Sequence, residues 1–198
     1  AAIDADVVLD KNWLEICLAS LNHDRFIMVG GNMVEKIDGK YNLWRSKYYS
    51  QNWGKKNLEN PPFLFGCNTI QFKSIWHKLK GYNESLRTNG EDIDYSEKVK
   101  LQNLKTTYLA DAKCFHLQDD NLKTLSNRIW RYHSFGYKIK EISFYRFLRL
   151  SIKQFNFFLK RLIKDISDFD FKFILINFGV LINFIKLEFI NVIRNKKK

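Results

Sequence analysis

The hydrophobic period of this chain changes once, near residue 117, and that change limits the possible folds more than any other feature. Before it, short apolar runs of strand length alternate with stretches of helical spacing. "RFIMVGGNMVEKI" (25–37) and "TTYLADAKCFHL" (106–117, one or two short strands) read as extended. "KNWLEICLASL" (11–21) instead sets Trp13, Leu14, Ile16, Cys17, Leu18 and Leu21 on a helical repeat. After residue 117 helical spacing continues to the end. Strand–helix alternation followed by helices alone predicts an α/β layer structure with a helical extension.

Local signals refine this plan. Residues 1–9 read as the end of a strand running into a loop, and Asn12 with Glu15 three residues later reads as a capping box for the first helix. Gly30-Gly31 inside a strand pattern marks a bulge or a close backbone approach. Residues 41–66 are aromatic and irregular, predicting a short helix and then a long loop, a length that is often functional. "CNTIQFK" (67–73) reads as a strand, "SIWHKL" as a helix ended by Gly81, and "GEDIDYSEKVKLQNL" (90–104) as a helix with acids in its first turn. Later breaks are expected near Gly136 and around residues 165–170.

Charge divides the chain in the same way. Residues 121–198 hold 17 Lys/Arg against 5 Asp/Glu and 12 of the 17 Phe, whereas residues 1–120 hold 16 basic and 16 acidic residues. The net charge of +12 therefore lies wholly in the last part. Basic and Phe-rich together point to an anionic membrane surface rather than nucleic acid, for which no motif is present. Two domains are expected, 1–140 and a membrane-associated extension, 141–198. Within the extension, "FYRFLRLSIKQFNFFLKRLIK" (144–164) is amphipathic. "FKFILINFGVLINFIKLEFINVIRNKKK" (171–198) is the most apolar stretch, but Lys186 and Glu188 interrupt it before the roughly 20 apolar residues of a spanning helix. A helix lying on the membrane is favoured, with a peripheral position at the cytoplasmic face; a core helix is the alternative. Three widely separated cysteines, Cys17, Cys67 and Cys114, form neither a disulfide framework nor a zinc site and fit a reducing compartment.

Candidate chemistry lies in four features: Asp4-x-Asp6, Gly30-Gly31, Gly90-Glu91-Asp92 and His116. Each has an ordinary structural reading as a turn, a bulge, a helix cap or a hydrogen-bonded histidine. Together they offer more. Asp4 and Asp6 supply hard oxygen ligands for Mg²⁺ or Mn²⁺, ions that keep waters and bind phosphate oxygens. His116 adds an imidazole, and Asp92 a carboxylate able to take a proton from a hydroxyl. Arg128 and Arg131 are candidates for holding phosphates, with a solvated or membrane-facing basic helix as the favoured reading. Trp44 and Trp53 are candidates for stacking on a sugar, with core packing as the alternative.

In order and separation, "DAD" (4–6), "GYNE" (81–84), "EDIDYSEKV" (91–99) and "TTYLADAKCFH" (106–116) resemble glycosyltransferase family 2, inverting enzymes of the GT-A fold. The resemblance covers roughly residues 1–135. It implies a three-layer nucleotide-diphospho-sugar transferase domain and a metal-dependent hexosyltransferase. Sugar would pass from a nucleotide-sugar donor to a glycan or lipid-linked acceptor in polysaccharide or glycolipid synthesis. By position, Asp4 and Asp6 become the nucleotide and metal carboxylates, Asp92 the catalytic base, Glu91 its neighbour, and His116 a contact to the metal or the diphosphate.

In that family the Asp-x-Asp follows a nucleotide-binding half, so the chain is expected to be the carboxy-terminal part of a longer transferase, inactive alone. The competing expectation is a non-catalytic, membrane-associated remnant that serves as an interaction module.

Overall fold

The computed structural model describes residues 1–36, 38–86, 89–135 and 142–195. Ile37, the expected break at Gly136 and residues 196–198 lie outside the described residues. In chain order the elements are β1 (Ala2–Ile3), β2 (Val7–Leu9), α1 (Trp13–Ser20), β3 (Met28–Glu35), α2 (Lys40–Tyr48), β4 (Leu58–Glu59) and β5 (Asn68–Gln71). They continue with α3 (Lys73–Lys78), α4 (Glu91–Leu101), β6 (Thr106–His116), α5 (Leu122–Ser134), α6 (Phe144–Ser167), a 3₁₀ turn (Phe171–Phe173) and α7 (Ile174–Asn195). The chain is thus α/β up to β6 and helical beyond it. Two compact units form: residues 1–36 with 46–118, and residues 37–45 with 119–198. Besides residues 37–45, the second unit takes in the chain from Asp119 onward, α5 included, whereas the boundary expected from the sequence lies at residue 140.

In the first unit the strands form one six-stranded sheet in the order β1-β5-β3-β6-β2, with β4 added to β6. Among the described residues only β3 and β6 run parallel; every other pairing is antiparallel. The segment 106–117 is one strand of 11 residues, long enough to pair with three neighbours. Alternation along β3 and β6 sends neighbouring side chains to opposite faces. Met28 and Tyr108 join Leu64 and the α4 residues Tyr95 and Val99 on one face. Val29, Leu109 and Ala112 pack against Trp13 and Cys17 of α1 on the other. Helices therefore cover both faces, and all three cysteines are buried free thiols.

The glycine pair in β3 marks a register shift against β6 between Gly31 and Asn32. At Gly31 a Cβ would collide with the Ala112 carbonyl and lie 2.7 Å from Asn68 Oδ1, the oxygen that accepts the Trp13 indole N–H at 2.6 Å. The expected capping box of α1 does not form. Asn12 makes no side-chain cap, and Asp10 caps the turn instead, its Oδ1 accepting Asn12 N at 3.0 Å and its carbonyl accepting Trp13 N at 2.9 Å. A capping box does form at α5, between Asn121 and Thr124.

The second unit is built on α5, α6 and α7 and buries an unusual number of polar groups. Arg45 pairs with Asp120, and the Trp44 indole donates to Asn177 Oδ1 at 2.9 Å. Asn177 donates in turn to Asp165 at 2.6 Å. Glu188, fully buried, accepts from Trp130 and Ser134 at 2.9 and 2.6 Å and faces Arg146 at 3.0 Å. Gly179 lets α7 approach α5, since a Cβ there would stand 2.8 Å from Leu122.

Gly31→Ala is expected to destabilise the chain by about 1–3 kcal/mol, because the added methyl meets backbone rather than a flexible side chain. Urea unfolding measures this, and an unchanged midpoint and slope would contradict the close approach.

Candidate functional site

The Asp-x-Asp is not a strand end. It is the turn that carries the chain from β1 to β2, strands that pair with different partners, β5 and β6. Val7 N donates to the Asp4 carbonyl at 3.2 Å and closes the turn. Its two ends are tied separately: Asp4 N donates to the Cys67 carbonyl at 3.3 Å, and Leu117 N donates to the Asp6 carbonyl at 2.8 Å. The turn thus spans the space between the end of β6 and the start of β5.

At the β6 end, Asp6 meets His116. His116 Nε2 lies 3.2 Å from Asp6 Oδ2, and its Nδ1 lies 2.8 Å from Glu35 Oε2. Parallel pairing sets Glu35 directly opposite His116. A carboxylate can only accept, so Nδ1 carries the proton and Glu35 fixes the ring. Nε2 then faces an oxygen that also only accepts. A second proton or a cation closes that pair.

At the β5 end stands the other acidic group. Gly90, at φ 94°, turns the chain into α4, whose first two residues are Glu91 and Asp92. Asp92 Oδ1 accepts Ile93 N at 2.8 Å and Oδ2 accepts Gly66 N at 3.4 Å. Burial, and then the Glu91 charge, push the Asp92 carboxyl up from 3.8 to about 6 against these backbone donors. Beside it, the Tyr82 hydroxyl is buried without a hydrogen-bond partner among the described residues, as is Glu91 Oε2. A Cβ on Gly66 would lie 3.1 Å from the Tyr82 oxygen and 3.4 Å from Asp92 Cβ.

Asp4 and Asp92 act on the same two side chains. Both raise the Cys67 thiol, after burial, and both raise Tyr82, which burial and its acidic surroundings push to about 12. Asp4 and Asp92 are also both tied by hydrogen bonds to residues 66–67, although about 90 residues of sequence separate them.

A hard divalent cation fits part of this arrangement. Asp6 is partly exposed, at 38% of its side chain, and its oxygen with His116 Nε2 forms a two-atom bite backed by Glu35. No group of three metal-binding side chains is gathered among the described residues. Asp6 and His116 would hold such an ion as a pair, leaving its other positions to water and phosphate oxygens, as Mg²⁺ and Mn²⁺ ordinarily do. Asp4 stands on the Cys67 side of the turn.

The remaining expected residues fall elsewhere. Arg128 and Arg131 are on α5, in the second unit, where Arg128 Nε lies 3.9 Å from Asp120 and Arg131 is exposed. Trp44 is not a stacking platform: it is fully buried, bonded to Asn177 and covered by the Arg161 guanidinium 5.1 Å from its ring centroid. Trp53 is half-buried, donates to the Phe63 carbonyl at 2.8 Å and packs edge-on against Phe63. Glu35 and Tyr82 carry the site without having been picked out from the sequence. Glu35 had one readable signal, an acid closing a buried apolar strand. No family model, curated protein or solved structure matches the chain.

The Asp92 environment makes a prediction with a definite sign. Its folded value lies above 3.8, so the folded state binds a proton that the unfolded state releases between about pH 4 and pH 6. Asp92 therefore penalises folding above about pH 6, and the penalty vanishes below about pH 4. Asp92→Asn is expected to stabilise the chain at pH 7.5 relative to its effect at pH 4 by up to ~3 kcal/mol in urea unfolding. The same difference at both pH values would contradict the raised carboxyl.

Proposed function

We propose that the first unit is the acceptor-side part of an inverting glycosyltransferase of the GT-A type. In this reading it moves a sugar from a nucleotide diphosphate to a hydroxyl of a glycan or lipid-linked acceptor. The observation that carries this reading is that Asp4 and Asp92 are both tied to residues 66–67, through the Cys67 carbonyl and Gly66 N, with the Asp92 carboxyl lifted to about 6. Helices on both faces of the sheet agree with a three-layer domain.

In this reading Asp92 is the base. A carboxyl that ionises near 6 is charged at neutral pH yet holds a transferred proton better than an ordinary aspartate. The N–H groups of Gly66 and Ile93 keep it aimed, and Glu91 raises its affinity for the proton. The acceptor oxygen forms its bond to the anomeric carbon as the bond from that carbon to the diphosphate oxygen breaks. The acceptor's proton passes to Asp92, and attack opposite the leaving group inverts the carbon. Tyr82 and Glu91, each with a buried polar atom unpartnered among the described residues, would hold acceptor hydroxyls in this reading. A divalent cation held by Asp6 and His116 would neutralise charge on the departing diphosphate.

The test uses a panel of nucleotide sugars with Mn²⁺, reading release of nucleoside diphosphate from this chain and from a form extended upstream. Metal-dependent release is expected, with Asp92→Asn lowering transfer by about 10²–10⁴-fold while leaving donor binding within a few fold. Asp6→Asn should lose donor binding as well. Equal loss of transfer and donor binding in Asp92→Asn would remove the base. No turnover with any donor, in either form, would favour a non-catalytic module.

A further inference from the structure

The outer face of the α6–α7 hairpin is apolar where a water-soluble helix pair would be polar. On α6, Tyr145, Leu148, Ile152, Phe155, Leu159, Ile163 and Ile166 are all exposed and recur every three or four residues, so they share one face for six turns. On α7, Leu175, Phe178, Ile182, Phe189 and Ile193 are exposed along one face, with Phe171 preceding them and Lys186 standing between Ile182 and Phe189. The exposure is substantial: Tyr145, Ile152, Ile163 and Leu175 stand 62–80% open. The two stripes are joined. Phe155 touches Phe158, which touches Phe178, and Phe144 touches Phe147, which touches Phe189. Two aromatic bridges therefore run from one helix to the other and make one continuous apolar surface.

Charge is sorted around that surface. Of the acids on α6 and α7, Asp165 and Glu188 are fully buried, each bonded inside the unit. Every exposed charged side chain on these two helices is cationic: Arg149, Lys153, Lys160 and Lys164 on α6, Lys186 and Arg194 on α7. The α6 cations follow Leu148, Ile152, Leu159 and Ile163 by one residue each, which sets them along one flank of the apolar stripe. Acids at the surface begin only in the connection, where Asp168 and Asp170 lie near Lys164 and Lys172. A protein partner for this face would need a matching acidic apolar surface. A bilayer with anionic headgroups supplies both halves at once, an acyl layer for the stripe and phosphates for its flank.

We infer that the α6–α7 hairpin lies flat in the headgroup region of an anionic phospholipid membrane. Its Phe/Ile/Leu face is buried in the lipid, and its Arg/Lys flank is on the phosphates. By length and composition alone Phe171–Asn195, whose most apolar 18 residues have a mean hydropathy of 1.9, suffices to cross a bilayer. Its inner side argues against that course. Asn177 and Glu188 face inward and take their partners from α2, α5 and α6, and a helix crossing without them would leave both in hydrocarbon. The inference does not rest on sugar transfer.

Flotation of the 198-residue chain with vesicles tests it, using phosphatidylcholine alone and with about one third phosphatidylglycerol. Binding is expected to the anionic vesicles and to fall about tenfold between roughly 0.1 and 0.5 M salt. The double substitution Ile152→Asp with Ile163→Asp should abolish flotation with an unchanged circular-dichroism melt, because both side chains are exposed. Arg149→Glu with Lys160→Glu should weaken anionic binding by about tenfold or more. Alkaline carbonate should strip the protein from the vesicles. Equal binding to neutral vesicles, or flotation by the folded Asp double variant, would overturn the inference. Retention after carbonate would replace it with a spanning helix. A stable dimer through this face that vesicles fail to dissociate would replace it with self-association.

Discussion

The tie between residues 66–67 and two acidic neighbours organises the first unit's candidate site. The Cys67 carbonyl takes Asp4 N, and Gly66 N is given to Asp92. One short stretch of backbone thereby holds a turn from the start of the chain against a helix that begins near its middle. Glycine matters at 66 because the Tyr82 hydroxyl and Asp92 Cβ close over it. The electrostatic consequence is a cost: gathering acids in a half-buried place raises the carboxyl that is least solvated. The chain keeps that arrangement although it opposes folding at neutral pH. A site that stores such opposition is a natural place to seek function.

The two units handle charge in opposite ways. The first leaves Asp6, Glu91 and Asp92 half-buried at the Asp-x-Asp turn and the start of α4, with His116 held between Asp6 and Glu35. The second neutralises its buried acids internally, through Arg45, Arg146, Asn177 and the Trp130 indole. Its exposed helical faces are then left cationic. The proposed membrane face arises from how that unit buries its acids and leaves the cations of α6 and α7 exposed.

Much of this was legible where the signal is local. The alternation up to residue 117, the helices beyond it, the glycine bulge and the acid-opened helix α4 all stem from period and residue type. Pairings made at a distance were not legible. The sheet is mostly antiparallel, and the Asp-x-Asp is a turn between two strands that lie apart in the sheet, neither of which spacing alone reveals. Trp44 looked available for stacking, but its partner Asn177 is 133 positions away. Glu35 becomes part of the site only through the parallel register with His116, and Tyr82 only through the approach of Gly66. Asn12 carried a capping signature that Asp10 overrode from two residues earlier, whereas Asn121 and Thr124 formed the box unpredicted.

The central claim is that the Asp4-x-Asp6 turn and the start of α4 face one place. Mn²⁺ titration followed by amide resonance broadening tests it most directly, since paramagnetic relaxation falls steeply with distance. Substoichiometric Mn²⁺ should broaden Ala5, Asp6, Val7, Gly66, Cys67, Ile93 and His116 together, and should lose its effect in Asp6→Asn. Broadening confined to Ala5, Asp6 and Val7, with Gly66 and Ile93 untouched, would contradict the convergence.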